Sequence, residues 1–270
     1  MIDVHSHVLP GVDDGTRELD EALAFCRLAR EAGTEILVAT PHHRIGSYAN
    51  PRERILESVA GLQRAVDEAG IPLKLAPGCE IFVDTELPER IGRGELLTYG
   101  DARRYILLEF SFQQYPVHPE DLVFRLRLAS IVPVIAHPER IRYFQEDPDR
   151  LETLVRAGAL SQVTTSSLLG TFGSRVQGLT ERMLRRRLVH FLASDAHDLS
   201  YRAPGLLRAF ERARELVGEE FARKLVRDHP EALLDGRELR IQEPVADEEE
   251  RPRGRGWLGI FGRSRPPRKG

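Results

Sequence analysis

The sequence predicts an α/β chain folded as a distorted (β/α)7 barrel, and three observations carry that prediction. Short apolar, β-branched runs recur along the chain, helical segments separate them, and ionisable residues gather where the runs end. The runs are Ile2 to His5, Glu35 to Thr40, Leu73 to Glu80, Tyr105 to Phe110, Val132 to His137, Leu160 to Thr164 and Val189 to Ser194. Runs this short and apolar suit strands covered on both faces, as in a parallel sheet or barrel. Their alternation with helices implies right-handed βαβ units, and seven strands favour an irregular barrel over an open sheet.

The helices announce themselves by their ends. Asn50, Pro51 and Glu53 read as an N-cap, a proline at the first helical position and a capping-box glutamate. Ile55, Val59, Leu62 and Val66 then form one apolar stripe, and Gly70 supplies the stop. Asp147-Pro148 opens a second helix through Leu151, Leu154 and Val155 to Gly158. Arg17 to Glu31 and Leu206 to Val217 are two more, each followed by a glycine.

Composition sets the outer bounds. A chain of 270 residues, 41% hydrophobic, can bury one large core, and single α/β barrels reach this size. A net charge of -3 speaks against broad nucleic-acid binding. The opening Met1-Ile2-Asp3-Val4-His5 lacks the features of a secretory signal. No apolar stretch reaches the roughly 18 residues of a membrane-spanning helix. Cys26 and Cys79 are too few for a disulfide framework and read as reduced, buried thiols of a cytoplasmic protein. The compact domain is expected to end near Gly236, with residues 237–250 a linker and 251–270 a basic, aromatic tail.

The chemistry lies in the strand ends. His5 and His7 close the first strand and Asp14 follows in the next loop; His42 follows the second. Glu80, Glu109 and His137 end the third, fourth and fifth, and Asp195 and His197 follow the seventh. In a parallel barrel those ends converge on one mouth, where active sites are built. Five histidines and four carboxylates would then share a pocket, an arrangement that like-charge repulsion opposes unless cations are present. Mixed His and carboxylate donors suit Mn²⁺, Fe²⁺ or Zn²⁺ better than Ca²⁺. Ions about 3.5–4 Å apart can share a hydroxide and clamp a phosphoryl group. Taken singly, a His-x-His at a strand end or a carboxylate ending a strand is weak; the combination is what points to metal.

Arg140 and Arg202 stand just beyond presumed ligands, and two readings remain for each: a phosphate grip, or an ion pair with Glu139 or Asp198. His43 reads as reaching substrate or facing solvent, and His118 as a residue that could line the mouth. His190 is expected to point away from the barrel axis and His229 to end a surface helix.

Together, His5-Ser6-His7, Val12-Asp13-Asp14-Gly15, Thr40-Pro41-His42, Ile135-Ala136-His137-Pro138-Glu139-Arg140 and Ala193-Ser194-Asp195-Ala196-His197 resemble the PHP (polymerase and histidinol phosphatase) superfamily. Within it they resemble the bacterial manganese-dependent tyrosine-protein phosphatases of capsule and exopolysaccharide operons. The similarity runs in order from Met1 to about Leu234. It implies a distorted (β/α)7 barrel with three metal ions. His5, His7, Glu80 and Asp195 would hold the first; Glu80, Glu109 and His137 the second, with Glu80 bridging; Asp14, His42 and His197 the third. Arg140 and Arg202 match the family's phosphate-gripping arginines and, with Asp14 and His42, are the candidate catalytic residues. The implied substrate is a phosphotyrosine protein, a bacterial tyrosine kinase that regulates capsule or exopolysaccharide synthesis, attacked by a metal-bridging hydroxide.

The cysteines offer an internal check. Thiol-dependent tyrosine phosphatases need Cys-x₅-Arg, but Ala32 and Thr85 stand six residues after Cys26 and Cys79. Rival readings are histidinol-phosphate hydrolysis, exonuclease activity, or a metal-bound scaffold that binds kinases without turnover. In the tail, Arg251 to Arg263 embeds Trp257 and Phe261 among basic residues, which reads either as a weak peripheral membrane contact or as an indiscriminate basic tail.

Overall fold

A computed structural model describes residues 1–246. Its strands are β1 (Ile2–Ser6), β2 (Ile36–Ala39), β3 (His42–His43), β4 (Lys74–Pro77), β5 (Glu80–Phe82), β6 (Tyr105–Glu109), β7 (Val132–Ala136), β8 (Leu160–Thr164) and β9 (Phe191–Ala193). All pairings between them are parallel, in the orders β1-β2-β4 and β3-β5-β6-β7-β8-β9.

The two sheets are one ring. The second and third expected strands are each broken once, at Thr40-Pro41 and at Gly78-Cys79, and the ladder continues across both breaks. Gly78 N donates to Ala39 O (2.9 Å) and Glu80 N to Pro41 O (3.1 Å). Pro41, which has no N–H to give, interrupts the regular pattern at that point. At the other side Asp195 N donates to His5 O and His7 N to Ala196 O, both at 2.9 Å. These bonds set the first and last strands side by side, as a barrel requires.

Alternation along the strands divides the core. Ile2, Val4, Val38, Tyr105, Leu107, Val134 and Phe191 fill the interior of the ring. Leu37, Ile106, Leu108, Ile135 and Leu192 face outward, against Phe25, Ile55, Leu62 and Phe144 of the covering layer. The helix Arg52–Glu68 buries the expected stripe of Ile55, Val59, Leu62 and Val66, and stops where Gly70 turns left-handed (φ 66).

Two local expectations are corrected. Asn50 does not cap that helix, whose N-cap is Pro51 with no side-chain bond. Asn50 is buried instead, its amide donating to Val12 O (3.1 Å) and His42 O (2.8 Å), so it ties two mouth loops together. His229 is not on the surface. It begins the helix His229–Leu234 and is buried, its Nδ1 bonded to His190 O (2.9 Å). His190 is buried beside it and accepts from Ser161 N at 3.1 Å.

Beyond Leu234 the chain runs over the surface, with Val245 N bonded to Arg186 O. No helix among the described residues is long and apolar enough to cross a membrane. The tail from Arg251 to Arg263 lies outside the described residues.

Candidate metal centre

All nine proposed ligands reach one end of the ring: seven line one cavity of about 260 Å³, and His5 and His7 lie against its Glu80. The register of β1 shifts between Asp3 and Ser6, which breaks strict alternation from Ile2 and Val4, and His5 within the strand and His7 just beyond it meet at one point. Both are fully buried.

Four atoms meet there. His5 Nε2 lies 3.2 Å from His7 Nε2, 3.3 Å from Glu80 Oε2 and 3.2 Å from Asp195 Oδ1. His7 Nε2 lies 3.4 Å from each of those two oxygens. Atoms roughly 2.0–2.2 Å from one divalent ion stand about 2.9–3.6 Å apart in octahedral or tetrahedral arrangement, so the spacing of His5, His7 and Glu80 suits a single cation, with Asp195 against both histidines.

The protonation pattern points the same way. His5 Nδ1 faces Gln162 Oε1 (2.9 Å) and His7 Nδ1 faces Asp13 Oδ2 (2.7 Å); each acceptor fixes the proton on Nδ1. The two Nε2 atoms then face each other at 3.2 Å beside two carboxylate oxygens, a cluster that needs positive charge at its centre, from ring protons or from a bound cation. Glu80 Oε2 and Asp195 Oδ1 are buried with no hydrogen-bond partner, which is costly for carboxylate oxygens without a positive charge between them. The donor set therefore fits a divalent metal.

The remaining candidates surround this group. His137 Nε2 meets the other oxygen of Glu80 at 3.0 Å. His42 Nδ1 lies 3.0 Å from Glu80 Oε2 and 3.6 Å from Glu109 Oε2, while its Nε2 lies 3.5 Å from Asp14 Oδ1. His197 Nε2 is 3.4 Å from Asp14 Oδ1. Asp14, His42, His197 and His7 can close around one ion, and His42, Glu80 and Glu109 around another. His42 thus faces both outer groups. Glu109 approaches His42, whereas His137, its expected companion, meets Glu80.

Electrostatics follow from this crowding. Burial alone would raise Glu80, but the charges of His5 and His42 hold it well below the usual carboxylate range. Burial and the neighbouring Glu80 charge push Glu109 up to about 7. Burial and His7 lower His197 to about 4, leaving it neutral and able to ligate. His7 is raised, its desolvation outweighed by Asp13.

Backbone geometry also marks the mouth. His137 (φ 34) and Asp195 (φ 51) are left-handed, a strain of about 1–3 kcal/mol each for residues with a Cβ. Gly15 lies so close to His7 that an added Cβ would sit 2.0 Å from His7 O. The Asp13-Asp14-Gly15 turn therefore needs glycine in order to bring both aspartates to the histidines.

Neither ion pair weighed for the arginines is present. Arg140 Nη1 and Arg202 Nη2 both bind Asp195 Oδ2 at 2.6 Å, while Glu139 accepts from Thr164 N and Asp198 from backbone N–H groups. Both guanidinium groups line the mouth. His43 is buried, bonded to Asn50 O and Arg90, and His118 is exposed and outside the cavity lining. Asp13, Gln162, Arg44, Tyr48 and Phe112 were not singled out from sequence. Asp13 sits inside the recognised motif, but which aspartate orients and which faces the mouth depends on the fold of the turn.

A parallel α/β barrel with this donor set at its mouth is the architecture of a metal-dependent hydrolase. Residues 1–235 match the capsular polysaccharide synthesis CpsB/CapC family, and the chain belongs to that family. It is 39% identical over 202 residues to tyrosine-protein phosphatase YwqE of Bacillus subtilis, covering 75% of this chain and 79% of that protein. It is 30% identical to tyrosine-protein phosphatase CpsB of Streptococcus pneumoniae, over 87% of this chain and 98% of that one. Crystal structures of YwqE and CpsB, described as metal-dependent tyrosine phosphatases, include a chain that superposes with a TM-score of 0.87 at 36% identity, covering 90% of this chain and 98% of that one.

Proposed function

We propose that this protein is a manganese-dependent phosphomonoesterase acting on phosphotyrosine in a protein, its substrate an autophosphorylated bacterial tyrosine kinase that regulates capsule or exopolysaccharide synthesis. The observation that carries the reading is the cluster of His5, His7, Glu80 and Asp195, where carboxylate oxygens without hydrogen-bond partners face two ring nitrogens. Three ions are assigned: one to that cluster, one to Glu80, Glu109 and His137, and one to Asp14, His42 and His197. The placement of His42 between the outer groups leaves it available to the second ion as well. When bound, such ions neutralise phosphoryl oxygens and make water acidic enough to act as a nucleophile near neutral pH.

The chain's own residues do the rest. Each guanidinium carries five N–H donors, so Arg140 and Arg202 can hold Asp195 and still offer donors to a phosphoryl group. Asp13 and Gln162 hold the His7 and His5 rings in the ligating tautomer. Asp14, half exposed between His42 and His197, is held ionised by those histidines and serves as an acceptor at the rim. Protonation of the leaving oxygen is a modest demand for tyrosine, whose free pKa is roughly 10.

The decisive assay compares a phosphotyrosine peptide, histidinol phosphate and single-stranded DNA, with Mn²⁺ and with chelator. Turnover of the peptide that chelation abolishes and Mn²⁺ restores is the expected result. Preference for histidinol phosphate or DNA would move the protein to another branch of the superfamily, and no turnover at all would leave a scaffold. Activity that survives thorough chelation would end the metal reading.

We place the enzyme in the cytoplasm, beside the membrane, through a weak contact of residues 251–263. Arg251, Arg253, Arg255 and Arg263 flanking Trp257, Leu258, Ile260 and Phe261 support this by their affinity for anionic headgroups and the interface. Liposome flotation of the full chain should exceed that of a chain ending at Glu250; equal flotation would refute the contact.

A further inference from the structure

Arg140 is held by more than its ion pair. Its guanidinium carbon lies 4.8 Å from the centre of the Phe172 ring and 5.5 Å from that of Phe112. The rings come from different loops, Phe112 following β6 and Phe172 following the short helix Thr165–Leu168 after β8. Each is itself anchored. Phe112 stacks on His137 at 5.5 Å with the planes 19° apart, and Phe172 meets Tyr201 edge-on at 6.2 Å. Of the seven expected strands, the one that forms β8 alone presents no candidate ligand at its end; its loop brings Phe172 against Arg140 instead.

A guanidinium is a planar cation whose faces suit aromatic rings and whose edge carries the N–H donors. Its long side chain otherwise samples many rotamers, and that freedom is lost when phosphate binds. We propose that Phe172, together with Phe112, brackets the Arg140 guanidinium so that its donor edge is presented to a phosphoryl group before substrate arrives. Phe172 is a positioning residue: it acts through Arg140. This inference rests on the phosphoesterase reading but not on tyrosine as the substrate.

The test is the affinity of Mn²⁺-loaded protein for inorganic phosphate, measured calorimetrically in Phe172→Leu and Phe172→Trp, with melting temperatures to confirm folding. Leucine keeps bulk and removes the π face, so Phe172→Leu is expected to weaken phosphate binding about three- to tenfold, and Phe172→Trp to preserve it. In an Arg140→Gln background the leucine substitution should have no further effect. Equal affinity of wild type and Phe172→Leu would overturn the bracket, as would a leucine effect that persists without Arg140, or a wild-type protein that binds no phosphate. Phosphotyrosine turnover is read separately. A wild type that binds phosphate in the expected pattern yet ignores the peptide keeps the bracket and sinks the tyrosine phosphatase assignment.

Discussion

Along β1 the chain changes character within a few residues. Ile2 and Val4 enter an apolar interior, and His5 and His7 then enter a cluster of opposed charges. The same change occurs along β6 from Tyr105 and Leu107 to Glu109, and along β7 from Val134 and Ala136 to His137. Both halves are buried, so burial does not separate them. The lower half is mainly apolar packing, with Asp3 Oδ2 and Tyr99 OH as its unpartnered atoms, whereas the upper half sets the unpartnered oxygens of Glu80 and Asp195 among histidines, with left-handed strand ends. The lower half holds the ring together, and the upper half gathers donor groups that could hold metal ions.

Substitutions can test that division. The largest effect is expected at the mouth: Glu80→Gln, which removes the charge shared by His5, His7, His42 and His137, should lower phosphotyrosine turnover by roughly 10²–10³. Urea denaturation should show little loss of stability in the same variant. A collapse of the fold on losing this one charge would mean that the two halves are not separable.

Leu107→Ala in the interior should do the reverse, costing about 2–5 kcal/mol in stability while turnover per folded molecule stays within about twofold. Asp13→Asn probes the link between the halves. It keeps the shape of the His7 partner but weakens the Nδ1 bond, and manganese affinity by calorimetry should fall about 10- to 100-fold. Undiminished affinity would show that the His7 tautomer is fixed by something else.

The smallest effect lies away from the mouth. Burial lowers His190 to about 3, so the unfolded chain, with its ordinary value near 6.5, binds the extra proton first. The stabilisation is complete above pH 6.5 and is lost as pH falls from there toward 3. The loss should reach about 1.4 kcal/mol by pH 5.5, seen as a shallower loss of urea midpoint in His190→Asn than in wild type. Parallel curves would assign acid sensitivity elsewhere.

The sequence showed the ring far better than its irregularities. Seven apolar runs and the four helices with clear ends were legible because burial on both faces leaves an unbroken apolar signature. The breaks at Pro41 and Gly78 were not, since the ladder resumes beyond them and only spatial pairing reveals the offset. Every ligand candidate could be named because strand ends in a parallel barrel must converge. Partnership was less legible. Gln162 is one of three polar residues in the buried strand β8, with Ser161 and Thr164, and only the fold places its oxygen on His5. The arginines turned to Asp195 and not to the acids nearest in sequence, because the nearest acids were already engaged by backbone and hydroxyl donors.

The left-handed turns at His137 and Asp195 carry a consequence for engineering. Glycine at either position would relax the main chain, so selection for heat resistance alone would reward it. Such a campaign would drift toward barrels that outlast the parent and turn nothing over.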